Sequence, residues 1–449
     1  MKRLHGCQLV IAFGISVLGL VIIALLWKAS EPEPVSMPYE SAEEGQEDRH
    51  FFTEIPTEPY RIPRVTEIDL PLESGFRAIW GGTGRDDRGH IWFGLCAEPG
   101  PGASAHLVEY DPEKDEAFLH GDVLSALRGH RPLAPDEAQT KIHTKIIQAA
   151  DGNLYFASLD ETGADFERGA RPPKWGSHLW RLKLPEHNWE HLLSVDEGLI
   201  AIAGGGWHIY ALGYFGHKLF HYNIKTRESR AVEVGSVGAH ISRNIVSDFR
   251  NHVYVPRIER GVTSGRLQTY LVEYDPQLRE VRETPLDHYI YSDELPAESH
   301  GLTAFQPMVD GSLVFATALG YLYRIFPKGS QPAEVTEIGW LHPEGQRYVT
   351  GLFTYGGKRY LLGLTRGKKS TQEYQPHEWI IRDLAEGFAL NVPFEIHSPD
   401  APPSRYCPLY GSVTRDNAGD FYVVGRSSGP RRPLVLRVEC PCSKTDSSK

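Results

Sequence analysis

His143, Thr144 and Lys145 stand at the head of one short apolar run, and Ser158, Asp160 and Glu161 stand at the tail of the next. An imidazole, an ammonium and two carboxylates at one end of a two-stranded element can move a proton, hold an anion or screen a developing charge. Comparable heads and tails recur down the chain. They are His240, Ser242, Arg243 and Asn244 with Arg257, then His300 and Thr303 with Thr317, then Tyr348, and finally Tyr410 with Ser412. If these ends share one axis, the set offers a base, cations and a proton donor to one ligand, the usual makings of a site in a concave surface. One expected chemistry is cofactor-independent β-elimination on a uronic-acid sugar. His143 would be the base, with Asp160 raising its pKa, Arg243 and Lys145 would neutralise charge, and His300 or Tyr410 would be the acid. The other expectation, placed first, is a binding module whose mouth takes a carbohydrate or protein ligand through Asp160, Glu161, Asn244, Arg257 and Trp175.

Positioning these residues requires hairpins. The segment from His143 to Asp160 reads as one, with Asp151-Gly152 as a type I′ turn that sets His143 opposite Asp160 and Lys145 opposite Ser158. Six further turn-plus-run segments follow the same plan: Asp87-Arg88-Gly89 before Ile91, Gly204-Gly205 before Ile209, and Asp248 to Asn251 before Val253. Asp310-Gly311 before Leu313, Gly356-Gly357 before Tyr360 and Asn417 to Gly419 before Phe421 complete the series. A third run such as His106-Leu107-Val108-Glu109-Tyr110-Asp111 or Tyr270-Leu271-Val272-Glu273-Tyr274-Asp275 follows most hairpins. The predicted fold is an all-β, seven-bladed β-propeller over residues 60–442, with six blades as the fallback. The last blade runs out of chain near Cys440, and the strand it lacks is expected from residues 61–70. The matching Asp-Gly and apolar-aromatic positions (Asp151, Gly152, Tyr155, Asp310, Gly311, Phe315) resemble those of the bacterial repeat propellers that include streptogramin-lyase-like and quinoprotein-like proteins. That resemblance implies the fold and leaves the activity open.

Composition agrees with many short strands: 21 Tyr, 9 Trp, 44 Gly and 32 Pro stand against 3 Met. A net charge of −11 without any basic block excludes a nucleic-acid partner. Residues 7–27 carry no charge, and at about 1.5 Å per residue they match the ~30 Å of a bilayer core. A transmembrane anchor is expected there, behind a short cytoplasmic segment (1–6). An acidic Pro/Glu tether (28–59) would follow, holding a periplasmic or extracellular body, and the tail 443–449 reads as disordered. No cofactor is identified and no metal is assigned. His187/His191 and His217/His221 fall in strand-like runs, where residues four apart stand roughly 13 Å from each other at ~3.3 Å per residue. A Cys96–Cys407 disulfide is the expected reinforcement of ring closure.

Overall fold

The computed structural model describes residues 63–440, apart from 73–74, 164–170, 238–239, 291–299, 356–359, 367–376, 386, 388, 399–400, 405–407 and 428–430. The anchor, the tether before residue 63 and the tail therefore lie outside the described residues. Among the described residues no helix is long and apolar enough to cross a membrane.

Seven antiparallel sheets follow one another along the chain, and each is a blade. Blade 1 runs from Phe76 to Asp122, blade 2 from Lys141 to Val195, blade 3 from Leu199 to Glu233 and blade 4 from Val246 to Pro285. Blades 5 and 6 span Leu302–Trp340 and Tyr348–Pro393. Blade 7 is built from Leu409–Arg415, Phe421–Arg426 and Pro433–Val438, and its fourth strand is Val65–Glu67 from the other end of the chain, paired antiparallel with Glu67 opposite Leu436. The strand expected from residues 61–70 thus closes the ring. A sixth-blade overhang, Ile396–Ser398, then pairs parallel to this closing strand, so neither of its edges is open.

The core lies between blades. Trp92 and Leu107 of blade 1 meet Ile142, Phe156 and Trp180 of blade 2, and Tyr422 and Val424 of blade 7 meet Ile91, Phe93 and Leu95 of blade 1. Each such side chain contributes about 1.5–3 kcal/mol on burial, so every blade is stabilised mainly by its neighbours. The inner strands approach so closely that a Cβ on Gly84 would lie 1.9 Å from the Ile146 carbonyl oxygen, a gap only glycine leaves open.

The hairpin turns differ from expectation in one respect. Gly152 donates its N–H to the Ala149 carbonyl and Ala149 donates to the Asn153 carbonyl, with only Gly152 in the left-handed region (φ 75°). This is a type I turn closed by a glycine bulge, not type I′. The same pair of bonds recurs at Asp86/Gly89, Asp248/Asn251, Met308/Gly311 and Asp416/Gly419. The aspartate that opens three of these turns is held by the strand beyond: Asp86 accepts from the Trp92 indole, Asp248 from the Tyr254 hydroxyl and Asp416 from the Tyr422 hydroxyl.

Register at the mouth is also corrected. Ile147 faces Tyr155 beyond the turn, but Ile142 faces Ser158 and Lys141 faces Leu159, so His143 to Ile146 form a bulge. Thr144 causes it: its Oγ1 accepts the Ala157 N–H at 2.8 Å, standing in for a backbone carbonyl. His143 therefore does not face Asp160, and Lys145 does not face Ser158.

Candidate functional site

The bulge at Thr144 lifts His143 and Lys145 off the ladder toward the axis, where blades 1, 2, 3, 4 and 7 converge. Trp80, Lys141, His143, Leu159, Glu161, Ile200, Tyr214, Phe215 and Arg243 enclose a cavity of about 180 Å³. A second, water-sized cavity joins His143, Lys145, Arg243, Asn244, Tyr410 and Ser412. His143 and Arg243 line both, so they stand at the junction of the two spaces.

Three cations, Lys141, Lys145 and Arg243, stand around this junction. Lys141 forms an ion pair with Glu161, and its Nζ lies 5.2 Å from the Trp80 ring centre. Trp80 stacks obliquely on Tyr410 with ring centres 4.2 Å apart. Lys145 donates to Ser412 Oγ at 3.2 Å, and Ser412 shares a second hydrogen bond with Thr83 at 2.6 Å. Loss of hydration pushes the Lys145 ammonium down to about 8. Burial, followed by the charges of Arg243 and Lys141, holds the His143 imidazolium well below the usual histidine range, so this ring is neutral at pH 7. His143 Nδ1 and Arg243 Nη1 are both shielded from solvent and have no hydrogen-bond partner among the described residues.

The remaining predicted residues are placed as follows. Glu161 lines the larger cavity. Tyr410 lines the smaller one. His300 accepts the Arg243 backbone N–H through its carbonyl, and its ring bonds to the Tyr348 hydroxyl at 3.0 Å, so it stands beside the junction. Asn244 spends its amide on the Leu302 and Thr303 carbonyls across the seam between blades 4 and 5. Asp160 is buried and accepts from Thr140 Oγ1 and the Thr162 N–H, so it neither orients His143 nor raises its pKa. Arg257 is buried, paired with Glu259, Glu280 and Glu283 of its own blade, and lines neither cavity. Trp175 lies under Lys174, whose Nζ is 4.3 Å from the ring centre, and it is absent from the cavity lining. Ser158 accepts from the Trp180 indole and donates to Gln139, away from Lys145. Cys96 is a free, fully buried thiol pushed up to about 11 by burial, not half of a disulfide, and Cys407 lies outside the described residues.

Sequence reading missed Lys141, Trp80, Tyr214 and Phe215. Lys141 carried a signal, since it begins the same first strand as His143. The aromatics sit on connections between runs, where periodicity gives no warning.

Three comparisons frame this geometry. No family model matches the chain, and no curated protein matches it. Solved structures do match. The extracellular domain of a hybrid two component system from B. thetaiotaomicron is 13% identical over 86% of this chain, with a TM-score of 0.44. This chain spans 40% of that one. A fungal alcohol oxidase of the AA5 family in complex with copper is 10% identical over 84% of this chain and 76% of its own, with a TM-score of 0.49. The U3-55K structure is 9% identical over 84% of this chain and 100% of its own, with a TM-score of 0.47. The all-β, seven-bladed architecture of this chain stands on its own coordinates.

Proposed function

We propose that the protein is an extracytoplasmic binding module, tethered by the apolar run at residues 7–27, whose mouth captures a small anionic ligand with an apolar or sugar-ring body. The observation that carries this reading is that His143 and Arg243, the residues shared by both cavities, each keep a buried polar atom, Nδ1 and Nη1, without a hydrogen-bond partner among the described residues. Buried polar groups are ordinarily hydrogen-bonded, and an orphan pair in a concave site reads as one half of a ligand contact. Lys141 and Lys145 add positive charge, while Trp80, Tyr214 and Phe215 supply flat apolar walls suited to a carboxylated sugar. Calorimetric titration of the protein with a panel of uronic-acid oligosaccharides tests the reading. Binding that weakens about thirtyfold in Arg243→Gln is expected, since a hydrogen bond to a charged group contributes about 2 kcal/mol. Equal affinity in the variant, or no binding across the panel, overturns it.

The elimination reading is second, and one observation keeps it in play: Lys145, brought to about 8, is better matched to proton abstraction near neutral pH than the strongly depressed His143. Unsaturated uronate products, followed by ultraviolet absorbance, are its test.

A further inference from the structure

On the face opposite the mouth, where strands turn, blades 1 and 4 carry the same construction. In blade 1 Asp86, Arg88 and His90 meet Glu109, and in blade 4 Asp248, Arg250 and His252 meet Glu273. In both, one carboxylate oxygen of the glutamate accepts from the arginine and from histidine Nδ1 at 2.6 Å. The second oxygen distinguishes them. Glu273 Oε2 is closed off by a backbone amide, that of Ala333, at 2.8 Å. Glu109 Oε2 instead faces two imidazoles, His120 Nε2 at 2.6 Å and His187 Nε2 at 3.6 Å.

These two rings come from different blades: His120 from the outer strand of blade 1, His187 from the turn after the third strand of blade 2. Their centres are 3.9 Å apart, and His187 is held at φ 57°, a backbone region that non-glycine residues seldom occupy. His187 Nε2 is shielded from solvent and, among the described residues, lacks a hydrogen-bond partner although it lies 3.6 Å from a buried carboxylate. The three ligand atoms lie within 4.8 Å of one another. Four-coordinate zinc with nitrogen and oxygen ligands at about 2.0–2.2 Å needs them about 3.4 Å apart, and the observed 2.6 and 3.6 Å bracket that spacing.

We propose that Glu109, His120 and His187 form a divalent transition-metal site, with zinc as the ion it fits, joining blade 1 to blade 2. His90 and Arg88, bonded to the other oxygen, fix the carboxylate's orientation as outer partners. Set against blade 4, the repeat itself needs only the Asp-Arg-His-Glu frame, and the two extra imidazoles are additions to it. This site is separate from the mouth and does not rest on the ligand-binding reading.

The test is titration of the chelator-stripped, full-length protein in detergent with Zn²⁺ by calorimetry, with Co²⁺ visible absorption as a second readout. One ion per chain is expected at Glu109. His187→Asn, which retains a residue tolerant of positive φ, and His120→Gln should each weaken binding at least tenfold and abolish the tetrahedral Co²⁺ bands. His252→Gln, in the sister frame, should change neither. Urea midpoints of the metal-free variants establish folding, and His120→Gln alone decides the matter if His187→Asn does not fold. Failure of the parent protein to bind Zn²⁺, or undiminished affinity in the folded histidine variants, overturns the proposal.

Discussion

Lys145 concentrates the electrostatic argument. The residue is half-buried, its ammonium beside Ser412 Oγ with the Phe305 ring 5.3 Å away, and among the described residues no carboxylate is in contact with it. Because its folded pKa, about 8, lies below the ordinary lysine value, the unfolded chain binds more protons between those two values. Stability of the unliganded protein should therefore rise as pH increases from about 8 toward 10.5, while affinity for an anion falls over the same interval as the charge is lost. Calorimetric affinities across pH 6 to 10 check this, and in Lys145→Arg the fall should disappear. Lys145→Met should raise the melting temperature at pH 7 and weaken anion binding together, the trade expected where a desolvated charge is kept for use. The types and positions of His143, Lys145 and Arg243 were readable from the chain because blade repetition puts strand starts on one axis. Their protonation was not, since it depends on which neighbours desolvate them. Asp160, two residues beyond Ser158, looked like His143's partner and is Thr140's.

Between single residues and the whole ring, the decisive feature is the bulge on the first strand of six of the seven blades, blade 4 pairing in plain register. Register shifts occur near the mouth at Phe76/Ala78, Leu199/Ala201, Leu302/Ala304, Val349/Gly351 and Leu409/Val413, as well as at Thr144. Thr303 and Thr350 also donate their hydroxyls to second-strand carbonyls, as Thr144 does to the Ala157 carbonyl. Such a side-chain bond leaves no mark in apolar periodicity, which explains why the strands were legible from sequence and their pairing was not. Thr144→Val keeps the shape but leaves the buried Ala157 N–H without an acceptor. A loss of about 1–3 kcal/mol in urea unfolding is expected, with ligand affinity reduced as His143 and Lys145 move. Unchanged unfolding would show that the backbone alone holds the bulge.

At the level of the molecule, the ring's arithmetic came from turn residues and aromatic runs repeated along 449 residues, and its closure from a strand missing at one end and spare at the other. Buried histidines set a global property that no motif announces. His178 and His377 are pushed down to about 3 by burial, and His191, His217 and His221 to about 4. All are neutral in the fold and protonate in the unfolded chain near 6.5, so their contribution is complete above that pH and is lost as pH falls from 6.5 toward 4. Melting temperature should start to drop below pH 6.5, well before carboxylates titrate, and a flat profile from 7.5 to 5 would contradict this. Removing residues 63–70 should uncouple blade 7, visible as a second, lower unfolding transition. The closing strand Val65–Glu67 lies between Pro433–Val438 on one side and Ile396–Ser398 on the other. Tension applied along that strand from its N-terminal end would be met by two ladders loaded in shear at once, so the segment that completes the ring is also the one that best resists being drawn out of it.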